Sequence, residues 1–150
     1  MKIPRLIALA GVVLSLVAVS AARDAAIVVD RGNSVATLST SDLAKLFKGD
    51  TAKWPNGNRV IAVFNKIDSD NTRLVLHKVN GLTPGQLREL ADSHKGSILI
   101  VDSDDLVLRA VQATPGAIGV VSVYSINSGV KVLKIDGKLP LESGYLLHEK

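Results

Sequence analysis

With 150 residues, 18 basic and 14 acidic side chains and a formal net charge of +4, the chain has room for one domain with a proper core and not for two of useful size. It has no cysteine, so packing alone must hold the fold. Its lysines are scattered and its aromatics are only Phe47, Trp54, Phe64, Tyr124 and Tyr145, which excludes the basic, aromatic-lined stripe that grips nucleic acid.

The chain opens with two positive charges in Met1-Lys2-Ile3-Pro4-Arg5. Residues 6–20 are uncharged and mostly Leu, Val, Ala and Ile, small residues follow at Ser20-Ala21-Ala22, and charge returns at Arg23-Asp24. This order predicts a cleaved secretory signal peptide over 1–22, because the apolar run is shorter than the roughly 20 residues that cross a bilayer. What remains is a single domain, 23–150, expected in the periplasm with no membrane span. Residues 1–22 hold Lys2 and Arg5 and no acid, so that domain has 16 basic against 14 acidic side chains, a net charge near +2.

Ala26-Ile27-Val28-Val29 is a short β-branched run and predicts a buried strand. Ser39, followed three residues later by Asp42, has the spacing of a capping box. Leu43, Leu46 and Phe47 share one helical face, and Gly49 suits a left-handed stop. Trp54-Pro55-Asn56-Gly57 is a turn, and 59–64 a second strand. Ser69 opens a helix carrying Leu74, Val75 and Val79 as far as Asn80-Gly81. Thr83-Pro84 opens another, with Pro at its first position. Strands are predicted at 98–101, 117–121 and 130–135, with a helix capped by Ser103 and ended by Pro115-Gly116 between the first two. Asp136-Gly137 is a turn, and 144–147 a last edge strand. Alternating helices and continuously apolar strands predict an α/β fold of three layers: a mixed, mostly parallel sheet with helices on both faces.

Three segments, in order, resemble the phosphate ABC transporter substrate-binding family of the type II periplasmic binding protein fold. The first runs from Leu38-Ser39 through Phe47-Lys48-Gly49 to Trp54. The second is Thr114-Pro115-Gly116-Ala117-Ile118-Gly119. The third is Val132-Leu133-Lys134-Ile135-Asp136-Gly137 followed by Tyr145-Leu146. The resemblance implies one lobe of a fold whose full-length members close two lobes on an anion. It also implies a small oxyanion ligand, phosphate foremost, and no cofactor. Where the family has Arg-x-x-x-Ser-Gly-Thr entering a helix, this chain has Asn65, Ser69, Asp70 and Asn71; Arg73, four residues after Ser69, matches short single-lobe relatives.

The candidate ligand-binding residues are therefore Asn65, Ser69, Asp70, Asn71, Thr72 and Arg73, with Lys66 adding charge. A helix N-terminus offers unpaired N–H groups and a partial positive charge, which suits phosphate. Against this, Ser69 or Asp70 is enough to cap the helix, and a carboxylate at Asp70 repels an anion. Two readings follow. One is an exported binding domain for a small oxyanion, with a homodimer or envelope partner to cover it. The other is an envelope accessory module whose ligand site has decayed. Catalysis has no support: His77, His94 and His148 fall on separate elements, no metal pairing such as His-x-x-x-His occurs, and Asp104-Asp105 point apart on a helix.

Overall fold

A computed structural model describes residues 23–149, so the signal peptide expected over 1–22 lies outside the described residues. The elements run β1 (Arg23–Asp30), β2 (Thr37–Leu38), α1 (Thr40–Phe47), β3 (Ile61–Phe64), α2 (Asp70–Val75), α3 (Pro84–Ser93) and β4 (Ile98–Ile100). They continue with α4 (Asp104–Ala113), β5 (Ala117–Ser122), β6 (Val130–Val132), β7 (Lys134–Ile135) and β8 (His148–Glu149). A π turn, Leu76–Asn80, prolongs α2 to Gly81, which is left-handed at φ 60°. A 3-10 turn, Val123–Ser125, follows β5.

The main sheet has the order β4-β3-β5-β1-β6. β3 is parallel to both neighbours, pairing Val63 with Leu99 and with Gly119. β1 is antiparallel to β5 and to β6. Four of these five strands thus share one direction and β1 alone opposes them, the mixed, mostly parallel sheet expected.

Alternation along each strand divides the core in two. Ile27 and Val29 of β1, Phe64 of β3 and Val120 of β5 pack with Leu43, Phe47, Leu74, Val75 and Leu87 from α1, α2 and α3. Ala26, Val28, Val63 and Val121 pack on the other face with Val107, Leu108 and Val111 of α4. Helices therefore cover both faces, which is why the strands read as unbroken apolar runs. At Gly119 an added Cβ would lie 2.6 Å from Val107 Cγ1 and 2.9 Å from Val111 Cγ2, so the absent side chain lets α4 lie against the sheet.

Trp54 ties the first and second family-like segments together: it is 5% exposed and its Nε1 donates to Gly116 O at 2.8 Å. Gly116 is left-handed at φ 89°, with the Arg59 carbonyl against the place of a Cβ. The Pro-Gly turn thus feeds β5 into the sheet beside the Trp54 turn.

Two strand expectations need correction. The run 130–135 is not one strand: β6 pairs with β1, Leu133 N donates to Ile27 O at 2.9 Å, and the chain then leaves for a two-stranded sheet in which β7 lies parallel to β2. The last strand is His148–Glu149, not 144–147. Gly144 is left-handed at φ 82° and Tyr145 closes a turn through Tyr145 N to Glu142 O, so pairing starts only when Leu147 O accepts from Ala25 N at 2.9 Å. β8 then pairs with the first residues of β1.

Candidate functional site

The parallel strands deliver three loops to one edge of the sheet: Asn65–Ser69 after β3, Val101–Ser103 after β4 and Val123–Ser125 after β5. The carboxyl ends of parallel strands are where open α/β folds hold their ligands. Ser69 is the N-cap of α2, its Oγ accepting from Thr72 N at 3.3 Å and donating to Thr72 Oγ1 at 2.9 Å. Thr72, fully buried, donates onward to Asn65 O at 3.0 Å. Asp70 and Asn71 are the next two residues, at N1 and N2. Their amides fall among the first N–H groups of the helix, which have no intrahelical acceptor, and the Ser69 cap takes only the Thr72 amide.

Three of the six candidate residues, Asn65, Ser69 and Thr72, thus join in one hydrogen-bonded chain. It extends to α4. Asn65 Oδ1 accepts from Lys66 N at 2.6 Å, while its Nδ2 donates to Asp104 Oδ1 at 2.8 Å. The other oxygen, Asp104 Oδ2, accepts from Ser122 N at 2.9 Å and from Ser125 Oγ at 2.7 Å. Asp104 stands at the first position of α4, after the N-cap Ser103, where a negative charge is favoured. The sequence marked Asp104 only as one of two adjacent acids that point apart behind the Ser103 cap. Its reach to Asn65, 39 positions away, and to Ser122 and Ser125 depends on how the sheet is ordered, which local spacing does not encode.

Asp70 and Arg73 turn away from this network. The Asp70 carboxylate pairs with Arg23, both side chains 61% exposed, which offsets its charge at the turn at little gain in stability. Arg73 is exposed and lines a groove of about 780 Å³ with Arg23, His77, Lys78, His148 and Glu149. His77 and His148, far apart in sequence, share this groove. Lys66 and Asp68 line a second, shallow groove of about 760 Å³ with Arg88 and Asp92, where cations and acids balance. Among the described residues no group of three His, Cys, Asp or Glu side chains is placed to hold a metal.

Beneath the Arg73 groove lies the most buried charged group of the described chain. Asp24 is 1% exposed; its Oδ1 is 2.5 Å from His148 Nδ1, and its Oδ2 accepts from Leu141 N at 2.5 Å. Beside it Tyr145 OH donates to Ala25 O at 2.7 Å. Burial, and then the Asp24 charge, push the Tyr145 phenol above its ordinary range.

The fold has counterparts among known proteins. The chain is 33% identical over 79 residues to the phosphate-binding protein PstS 2 of Streptococcus agalactiae serotype V, and equally to that of serotype III; the match takes in 52% of this chain and 27% of each relative. Among solved structures, an ABC-type phosphate transport receptor from Vibrio cholerae superposes with a TM-score of 0.70 at 19% identity, over 85% of this chain and 54% of that one. PstS from Borrelia burgdorferi gives 0.67 at 14% identity, over 86% and 55%. The fold is that of the phosphate ABC transporter substrate-binding proteins. A protein of that kind with bound phosphate, from Clostridium perfringens, gives 0.66 at 19% identity, over 77% of this chain and 46% of that one. The chain spans about half the length of these receptors and about a quarter of its curated relatives. No family model matches it. Among the described residues no helix is long and apolar enough to cross a membrane.

Proposed function

We propose that residues 23–150 are one exported, non-enzymatic binding domain of the phosphate-binding-protein kind, freed from the leader at 1–22, that takes phosphate or a similarly small oxyanion. The observation that carries this reading is the turn at Ser69: its cap leaves the Asp70 and Asn71 amides at the carboxyl edge of the sheet, while Arg23 offsets the Asp70 charge. Two backbone amides and one lobe bury a single side of an ion, so the affinity is weak unless a second copy or an envelope partner covers the edge. Isothermal titration of residues 23–150 with phosphate and with sulfate at millimolar concentration is expected to give saturable heat, reduced at least about tenfold in affinity by Ser69→Pro at the turn. Absence of heat with both anions overturns the reading.

A second reading is favoured by one observation: the Asn65 amide, in the place of the family's arginine, is held by Asp104, and the Thr72 hydroxyl by the Asn65 carbonyl. In this reading the edge is an accessory surface whose solute site has been vacated. A stoichiometric envelope partner bound equally well with and without phosphate, together with silent titrations, is its signature.

A further inference from the structure

The groove of about 780 Å³ has one wall from α2 with its π turn and another from β1 and β8, and its charges are sorted between them. Both carboxylates gather at Arg23: Asp70 pairs with it, and Glu149 lies opposite it in the β1–β8 register. Arg73 and Lys78, on the helix wall, are exposed and make no ion pair among the described residues. In an α-helix, residues five positions apart point about 140° away from each other. The π turn Leu76–Asn80 winds from i to i+5 instead, and Lys78 comes onto the groove beside Arg73 and His77. Turns of this kind are rare and concentrate at functional sites. From the opposite wall comes His148. An ionised carboxylate only accepts, so the bond to the buried Asp24 holds a proton on His148 Nδ1 and leaves Nε2 for the groove. We propose that this groove is a seat for a chain of linked phosphates, a di- or triphosphate, laid along the helix with Arg73 and Lys78 on successive phosphoryl groups and His148 on the facing side. Five residues of helix rise about 7 Å, so a chain engages both cations where a single ion settles on one. Leu74, itself buried, is the one apolar side chain among the described lining residues, so the groove gives a peptide no anchor.

The inference goes beyond the oxyanion reading of the Ser69 turn and does not rest on it. Residues 23–150 are titrated calorimetrically with tripolyphosphate in about 0.15 M sodium chloride, which screens general attraction between charges. One saturable site is expected, at least about tenfold tighter than any for orthophosphate. Arg73→Glu and Lys78→Glu, both at exposed positions, should each weaken it at least about tenfold. Arg88→Glu, the same change of charge beside the other groove, should leave it within about twofold. ATP, the other source of such a chain, should bind no more tightly, since the described lining has no Phe, Tyr or Trp to stack a base. In NMR spectra, tripolyphosphate should move the Lys78 and Glu149 amides. Absence of saturable heat with tripolyphosphate, an equal loss in Arg88→Glu, or ATP binding more than about tenfold tighter overturns the proposal. Shifts confined to the Asp70 and Asn71 amides overturn it too, and leave the reading of the Ser69 turn standing.

Discussion

Ser69, Thr72 and Asn65 bind one another before they can bind anything else, and this sets what single substitutions do. Ser69→Ala removes the cap of α2 and is expected to lower stability by about 1 kcal/mol in urea unfolding. Gly119→Ala puts a methyl group into Val107 and Val111, and overpacking of that kind costs roughly 1–3 kcal/mol by the same measurement. Tyr145 gives the chain an alkaline limit. Because its phenol is raised in the folded state, the unfolded chain ionises first, near pH 10; stability is whole below that pH and falls as pH rises above it. Tyr145→Phe should flatten that alkaline fall in Tm while lowering stability at pH 7 through the lost bond to Ala25 O. Local chemistry of this sort was legible in the sequence: Ser39 with Asp42 forms the capping box its spacing indicated, Pro84 opens α3 behind Thr83, and Ser69 and Ser103 cap their helices. Asp104 was not, because its partners lie on other elements.

Among the elements, the helices were readable to within a residue or two, since each carries its own cap and stop. The strands after Ala117 were less so. Val130 to Ile135 reads as one apolar run, yet the fully buried Leu133 ends its pairing with β1 and the next two residues join β2. Nothing in a six-residue pattern states which neighbour it has. β8 is a similar case, a two-residue strand pinned by a buried carboxylate and not by apolar alternation. Asp24→Ala should therefore release β8 and the Leu141 turn together. Hydrogen exchange is expected to rise at Ala25, whose amide bonds to Leu147 O, and at Leu141, with β3 and β5 still protected. In the same spirit Trp54→Phe keeps an apolar ring but removes one of the two donors to Gly116 O, the Ile61 amide remaining, at a cost of about 0.5–1.5 kcal/mol in urea unfolding.

For the whole molecule, the alternation of apolar strands and amphipathic helices gave away the three layers, and three short motifs gave away the family likeness. The strand order was beyond reach of pattern, because β1 is inserted between strands that come last in the chain. Its partners begin at Ile118 with Val29, continue to Val132 with Val28 and end at Glu149 with Arg23. A chain cut after Ala113 should consequently show no cooperative unfolding transition by far-UV circular dichroism, although it retains β1, β3, β4 and all four helices. The same insertion sets a timetable during synthesis. At ordinary elongation rates β1 waits on the order of ten seconds for β5 to emerge, an interval in which the nascent polypeptide stays threadable through a narrow pore and open to chaperones.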